Sequence, residues 1–208
     1  MRYRIAVLAA AILSLGWSAP SPASSDLVSR MAALNGGLQS YTASLHARVS
    51  LQTFPFLSAN LDGTYYFKQP DRYRVAFSSG LPLIAEKFNN LYGHIEPASR
   101  WRSVYDVTVV SDNGHKTTFR LVPRKRGNVA SIDAVADDSA ATVTSMRWNY
   151  VNGGFASMAN HYARVNGYNL VASQTGEVHE PGYAGTIDTT ISGYHINANV
   201  PDSVFANP

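Results

Sequence analysis

The sequence predicts a mainly β domain of the α+β class: a strongly curved antiparallel sheet or open, unclosed β-barrel, with one N-terminal helix and a short covering helix packed on it. Three observations predict it. An alternating apolar and polar segment of unusual length opens the folded part of the chain. Turn signals then recur at the spacing of a meander. No cysteine occurs anywhere, so packing alone must hold the fold.

Arg2 and Arg4 precede an uncharged apolar run from Ile5 to Trp17, followed by small and turn-prone residues from Ser18 to Ser25. The run has about 13 residues, whereas a spanning helix needs roughly 20, so it reads as a secretory signal rather than an anchor. Ser21 and Ala23 supply the small side chains of a cleavage site after Ala23. Residues 1-23 are therefore expected to be a signal peptide and 24-208 a single domain, exported and in a bacterium periplasmic. Without cysteine, the mature N-terminus cannot be the lipidated cysteine of a bacterial lipoprotein.

The formal charge of +3 includes Arg2 and Arg4, and no acidic residue precedes Asp26, so the remaining chain is close to neutral at +1. That balance gives no general reason to bind nucleic acid. The one basic cluster, Arg124, Lys125 and Arg126, sits beside Pro123 and Gly127 and reads as a solvated turn or a contact with anionic headgroups.

The first element is a helix from Asp26 to Leu38. Leu27, Met31, Leu34 and Leu38 recur at helical spacing, Ser25 or Asp26 can cap the start, and Gly36 and Gly37 loosen the end. From Tyr41 to Leu51 the period becomes two: Tyr41, Ala43, Leu45, Ala47, Val49 and Leu51 share one side. Strands this long suit a strongly curved sheet or open barrel. After a turn, Leu61 to Lys68 alternates again until Pro70, which cannot donate to a ladder, and Tyr73 to Phe77 resumes the sheet.

Between Ser78 and Arg100 the pattern is least regular. Leu83, Ile84, Phe88, Leu91 and Tyr92 fit a short helix introduced by Pro82 and read as a covering lid. Trp101 to Val110 and Lys116 to Val122 flank Asp112-Asn113-Gly114, a hairpin signal. Further strands are expected at Val129 to Val135, Ala141 to Val151, Phe155 to Arg164, Tyr168 to Glu177 and Thr186 to Ala198, with Asn-Gly and Asp-Asp turns between several of them.

Catalytic signatures are missing from the linear sequence. None of the six histidines pairs at metal-site spacing, and His179-Glu180 runs into Pro181-Gly182 rather than along a helix. No nucleophile elbow or phosphate-binding loop occurs. Asp137 and Asp138 point to opposite faces on a strand, or are both solvated in a turn. No cofactor, metal or catalytic residue is expected, and an enzyme is not.

Two stretches resemble the LolA/LolB family of periplasmic lipoprotein carriers. Ser25 to Val49 looks like the family's opening helix and first barrel strand, and Gly63 to Arg74, G-T-Y-Y-F-K-Q-P-D-R-Y-R, looks like its glycine, apolar strand, Lys-Arg-Pro and following aromatic. Leu121-Val122-Pro123-Arg124 and Val200-Pro201-Asp202-Ser203-Val204-Phe205 continue the similarity more weakly. The resemblance implies a half-barrel whose hollow takes acyl chains of lipoproteins or free lipid and moves them toward the outer membrane. Inner- or outer-membrane sorting components would then be its partners, and a monomer its form.

On this reading the cavity is drawn from Leu45, Val49, Leu51, Tyr65, Phe67, Tyr73, Val75 and Phe77, with Leu83, Ile84, Phe88, Leu91 and Tyr92 in the lid. Gln69 stands at the latch, where the family carries an arginine. Each methylene withdrawn from water contributes about 0.8 kcal/mol, so a long chain offers roughly 10 kcal/mol before ordering costs. The rival readings are a sensory or scaffolding domain of the same shape that binds a protein partner in the envelope, and an envelope hydrolase.

Overall fold

The structure is a computed structural model and describes residues 22–53, 57–78 and 96–206, with side chains from Asp26 onward. Ten antiparallel strands form one sheet: β1 (Ser40–Leu51), β2 (Ser58–Lys68), β3 (Arg72–Phe77), β4 (Tyr105–Asp112), β5 (Lys116–Pro123), β6 (Val129–Asp137), β7 (Thr142–Tyr150), β8 (Phe155–Val165), β9 (Tyr168–Glu180) and β10 (Tyr183–Ile196). Their order is β3-β2-β1-β10-β9-β8-β7-β6-β5-β4. The two ends of the chain's meander thus meet where β1 pairs with β10, and β3 and β4 are left as the edges.

The sheet curls. Asp71, which precedes the edge strand β3, meets Arg100, which lies just ahead of the other edge strand β4, at 2.9 Å, so the two wings turn toward each other. β3 and β4 do not pair, and the barrel stays unclosed along that seam.

Helix α1 (Pro22–Ala33) covers the inner face with Leu27, Val28 and Met31 buried. It ends earlier than the expected Leu38. Asn35 takes a left-handed φ of 61°, and its carbonyl accepts from Leu38 N–H at 2.9 Å, so the apolar spacing runs on through a tight turn and buries Leu38 without helix. Arg30 donates to the Asp138 carbonyl, tying α1 to the β6–β7 turn. The Asn35 amide donates to Asn169 O at 2.8 Å and its oxygen accepts from Asn169 N–H at 2.9 Å, tying the helix end to the β8–β9 turn.

The strand expected from Trp101 instead begins at Tyr105, because Trp101–Val104 is a short helix, α2, entered through a 3-10 turn at Ala98–Arg100. Trp101 decides this. Its indole donates to Glu96 O at 2.9 Å and meets the Phe119 ring edge-on at 5.8 Å, with 1% of the residue exposed, a docking that an in-line strand would forgo. The other expected strands all form, with bounds moved by up to three residues. Residues 1–21 of the expected signal segment and the expected lid helix lie outside the described residues. No helix among those described is long and apolar enough to cross a membrane.

Candidate functional site

The inner face can be read row by row from the register. Gly63, Tyr65 and Phe67 of β2 stand opposite Leu45, Ala43 and Tyr41 of β1, and opposite Phe77, Val75 and Tyr73 of β3. Directly opposed residues share a face, so all eight expected cavity residues lie on the inner side. They are not equally covered. Leu45, Val49 and Leu51 are buried, Tyr65, Phe67, Val75 and Phe77 are half-buried, and Tyr73 is exposed at the open edge.

The same face continues across the sheet. Val49 faces Ile187, whose other neighbour is Gly176, and the row runs on through Met158, Met146, Ala134 and Phe119. Next to it lies a row from Leu51 through Gly185, Val178, Ala156, Trp148, Ile132 and Leu121, apolar throughout. This end of the inner face is therefore hydrocarbon and backbone, packed in the buried core.

Toward the other end the lining becomes polar. Gln174 donates to Asn160 Oδ1 at 2.9 Å and lies 3.1 Å from the Met158 sulfur. The Asn160 amide and the Tyr162 hydroxyl both donate to Val143 O, at 3.0 and 2.9 Å. Beyond them Tyr41 stacks on Tyr65 and Phe67 at 5.7 and 5.2 Å and meets Tyr194 edge-on at 5.2 Å. The Tyr194 hydroxyl donates to Val171 O.

Burial governs the acidity of these phenols. It pushes Tyr65 and Tyr162 up to about 12, and lifts Tyr41 and Tyr194 further, with neighbouring tyrosines adding to the effect. All four remain neutral hydroxyls near neutral pH. Among the described residues this cluster offers hydrogen bonds and aromatic faces rather than charge.

Sequence periodicity did not find Tyr194, Tyr162, Asn160 or Gln174. Register shifts lie between Thr42 and Ser44 where β1 meets β10, and between His161 and Tyr162 where β8 meets β9. The first inserts an extra residue in β10, at Gly193 with φ 61°, so Ile191 and Tyr194 both face inward although their parity differs. A glycine inside an alternating strand was the one sequence signal for it.

Gln69, the expected latch, sits half-buried in the β2–β3 turn, where its N–H donates to Gln39 O at 2.9 Å. Its expected lid partners Leu83, Ile84, Phe88, Leu91 and Tyr92 fall outside the described residues. The turn's charged contacts come from its neighbours. Asp71 pairs with Arg100 at 2.9 Å, and Lys68 pairs with Asp202 at 2.6 Å. Asp202 also accepts from Arg72 at 3.0 Å, and the Lys68 and Arg72 hydrogen bonds hold its carboxyl below the usual carboxylate range.

On the opposite face an open depression of about 580 Å³ is lined by Asp133, Arg147, Glu177 and Asp188 among others. Arg120 holds Asp133 at 2.8 Å, and Arg147 lies over the Phe155 ring at 3.5 Å. Glu177 accepts from the Ser157 hydroxyl at 3.2 Å, and a depression lined by four charged side chains does not suit an apolar chain. Among the described residues no three metal-ligating side chains gather.

No family model matches the sequence, and no curated protein matches it. Solved structures do match its fold. A DUF1329 family protein from Desulfovibrio piger superposes with a TM-score of 0.66 at 11% identity, over 90% of this chain and 98% of that one. A protein described as an outer membrane lipoprotein-sorting domain, from Vibrio parahaemolyticus, gives 0.61 at 11% identity, over 88% and 97%. A LolA superfamily protein from Nitrosomonas europaea gives 0.56 at 9% identity, over 88% and 97%. The chain therefore carries the LolA-type fold, an antiparallel sheet curled around a helix and left unclosed along one seam.

Proposed function

We propose that the inner face is a binding site for apolar chains, and that the protein carries a lipid or the acyl chains of a lipoprotein across the periplasm without altering them. The observation that carries this reading is the continuous apolar lining from Leu51 to Leu121 inside a sheet whose β3 and β4 edges remain unpaired. An edge that does not pair can move away without breaking a ladder, which gives a chain a way in. Similarity of fold to a lipoprotein-sorting domain and a LolA superfamily protein supports the same reading.

The tyrosine and amide end gives the site a direction. Hydrocarbon suits the row through Val49 and Ile187, while an ester or amide linkage suits the hydroxyls of Tyr41, Tyr65 and Tyr194. No covalent step is required for such a role.

The test is native mass spectrometry of gently purified protein together with titration of a fluorescent fatty acid. Bound lipid and saturable binding are expected. Val75→Glu with Phe77→Glu, at the half-buried rim, should weaken binding by about tenfold or more, since each places a charge beside the chain. Absence of both lipid and saturable binding in the unaltered protein would defeat the proposal.

A further inference from the structure

We infer that one rim of the barrel, built by the β5–β6 and β7–β8 turns, docks on the surface of a bilayer containing anionic lipid. Hydrogen bonds join the loops at this end into one edge. Arg124 N–H donates to Val104 O at 3.1 Å, Val151 N–H to Asn128 O at 2.9 Å, the Asn152 amide to Glu180 at 2.6 Å, and Ala184 N–H to Thr53 Oγ1 at 2.8 Å. The rim is thereby a formed surface rather than a set of separate tips.

Its charge is one-sided. Arg102, Arg124, Lys125 and Arg126 are exposed along it, facing two carboxylates, Asp106 and Glu180. Arg124 is taken by Asp106 at 3.0 Å, and Glu180 accepts from Asn152. Among the described residues Lys125 and Arg126 make no ion pair, and they stand at the tip of their turn. The chain as a whole is nearly balanced, so this local excess is a feature of the rim and not of the composition.

Beside the cations stands Val151, 69% exposed and the most exposed large apolar side chain among the described residues. Val122, at 41%, lies on the neighbouring strand end. Two uncommitted cations flanking an apolar tip match a headgroup layer, where phosphates neutralise the charge and the tip enters the acyl boundary. The valines stand singly rather than as a contiguous apolar patch, which suits shallow entry into a headgroup layer.

The rim is also well placed. The apolar rows through Leu51, Val178 and Trp148 run out to this same end, so docking would bring the hydrocarbon end of the inner face toward the membrane.

The experiment is flotation of the purified full protein with vesicles of phosphatidylethanolamine and phosphatidylglycerol, against vesicles of phosphatidylcholine alone. Association with the first and not the second, weakened by salt, is expected. Lys125→Glu with Arg126→Glu should reduce it by more than about 25-fold, since loss of each cation accounts for about fivefold and the new carboxylates add repulsion. The exchange Lys125→Arg with Arg126→Lys should preserve it, and Val151→Ser should weaken what persists at high salt. Equal binding to neutral vesicles, an unaffected charge-reversal variant, or capture of a protein through these residues without vesicle binding would each overturn the inference. Fatty-acid binding by the charge-reversal variant reads the inner site separately, so failure of docking and failure of carriage are distinguishable.

Discussion

Arg100 and Asp71 meet at 2.9 Å across the seam that keeps the barrel open. Asp71 precedes the edge strand β3, and Arg100 precedes α2, which leads into the other edge, β4. Arg100 also pairs with Glu96 at 3.3 Å. Both partners are partly exposed, so the pair adds little to overall stability, on the order of 0.5 kcal/mol. Its effect is local, because β3 has a neighbour on one side only. Asp71→Asn is expected to change the denaturation midpoint slightly while amide exchange across Arg72–Phe77 accelerates. Unchanged exchange in β3 would show that the seam is held by something else.

Asn35 closes α1 and binds the β8–β9 turn in one residue. Replacing it with alanine removes two hydrogen bonds and leaves at a φ of 61° a side chain without the polar group that lets asparagine tolerate this region, at a cost of about 2 to 3 kcal/mol. Asn35→Gly keeps the backbone freedom and loses only the amide, so it should cost less than the alanine. Urea denaturation of the two variants checks the order. Equal losses would mean that backbone conformation contributes nothing.

Gly63 lies where β2 meets the edge strand β3, opposite Phe77. A β-carbon there would come within 2.7 Å of the Ala76 carbonyl oxygen, a backbone atom that cannot rotate away. Gly63→Ala is expected to push β3 off the sheet and to destabilise the protein by about 1 to 3 kcal/mol. Protease nicking near residue 78 would report the loosened edge. A variant as stable and as resistant as the parent would contradict the close approach.

The tyrosine cluster predicts an alkaline limit. Tyr65 and Tyr162 are held near 12 by burial, above an unfolded tyrosine near 10, so the folded state keeps its protons longer than the unfolded one. The stability this contributes is complete below about pH 10 and is lost as pH rises toward 12. Urea midpoints should stay level up to about pH 9 and then fall, and Tyr65→Phe with Tyr162→Phe should flatten that fall. A midpoint insensitive to pH in that window would mean that these phenols ionise freely while folded.

The alternation from Tyr41 to Leu51 specified a strand, its length and its buried face, because a period of two leaves a side chain only two directions. Pro70 and the Asn-Gly pairs marked where strands end, since a missing N–H and a favourable positive φ are local properties. The eight residues expected to line the hollow share one face for the same reason. Helix and strand were harder to part where one large side chain ruled. Trp101 turned an expected strand start into α2 because its indole found Glu96 O and the Phe119 ring, partners set by folding.

By itself the sequence determined the class of fold, the absence of disulfides, the order of the meander and the greasy side of its first strands. Tertiary structure alone decided that the expected opening falls between β3 and β4, that Asp71 reaches Arg100, and that Tyr194, Tyr162, Asn160 and Gln174 give the inner face a polar end. For Tyr194 the reason lies in a bulge, whereas Tyr162, Asn160 and Gln174 keep the alternation of their strands and only the strand pairing fixes which side faces in. An inserted residue reverses the parity on which sequence patterns depend, and what a side chain then faces is fixed by strands far away in the chain.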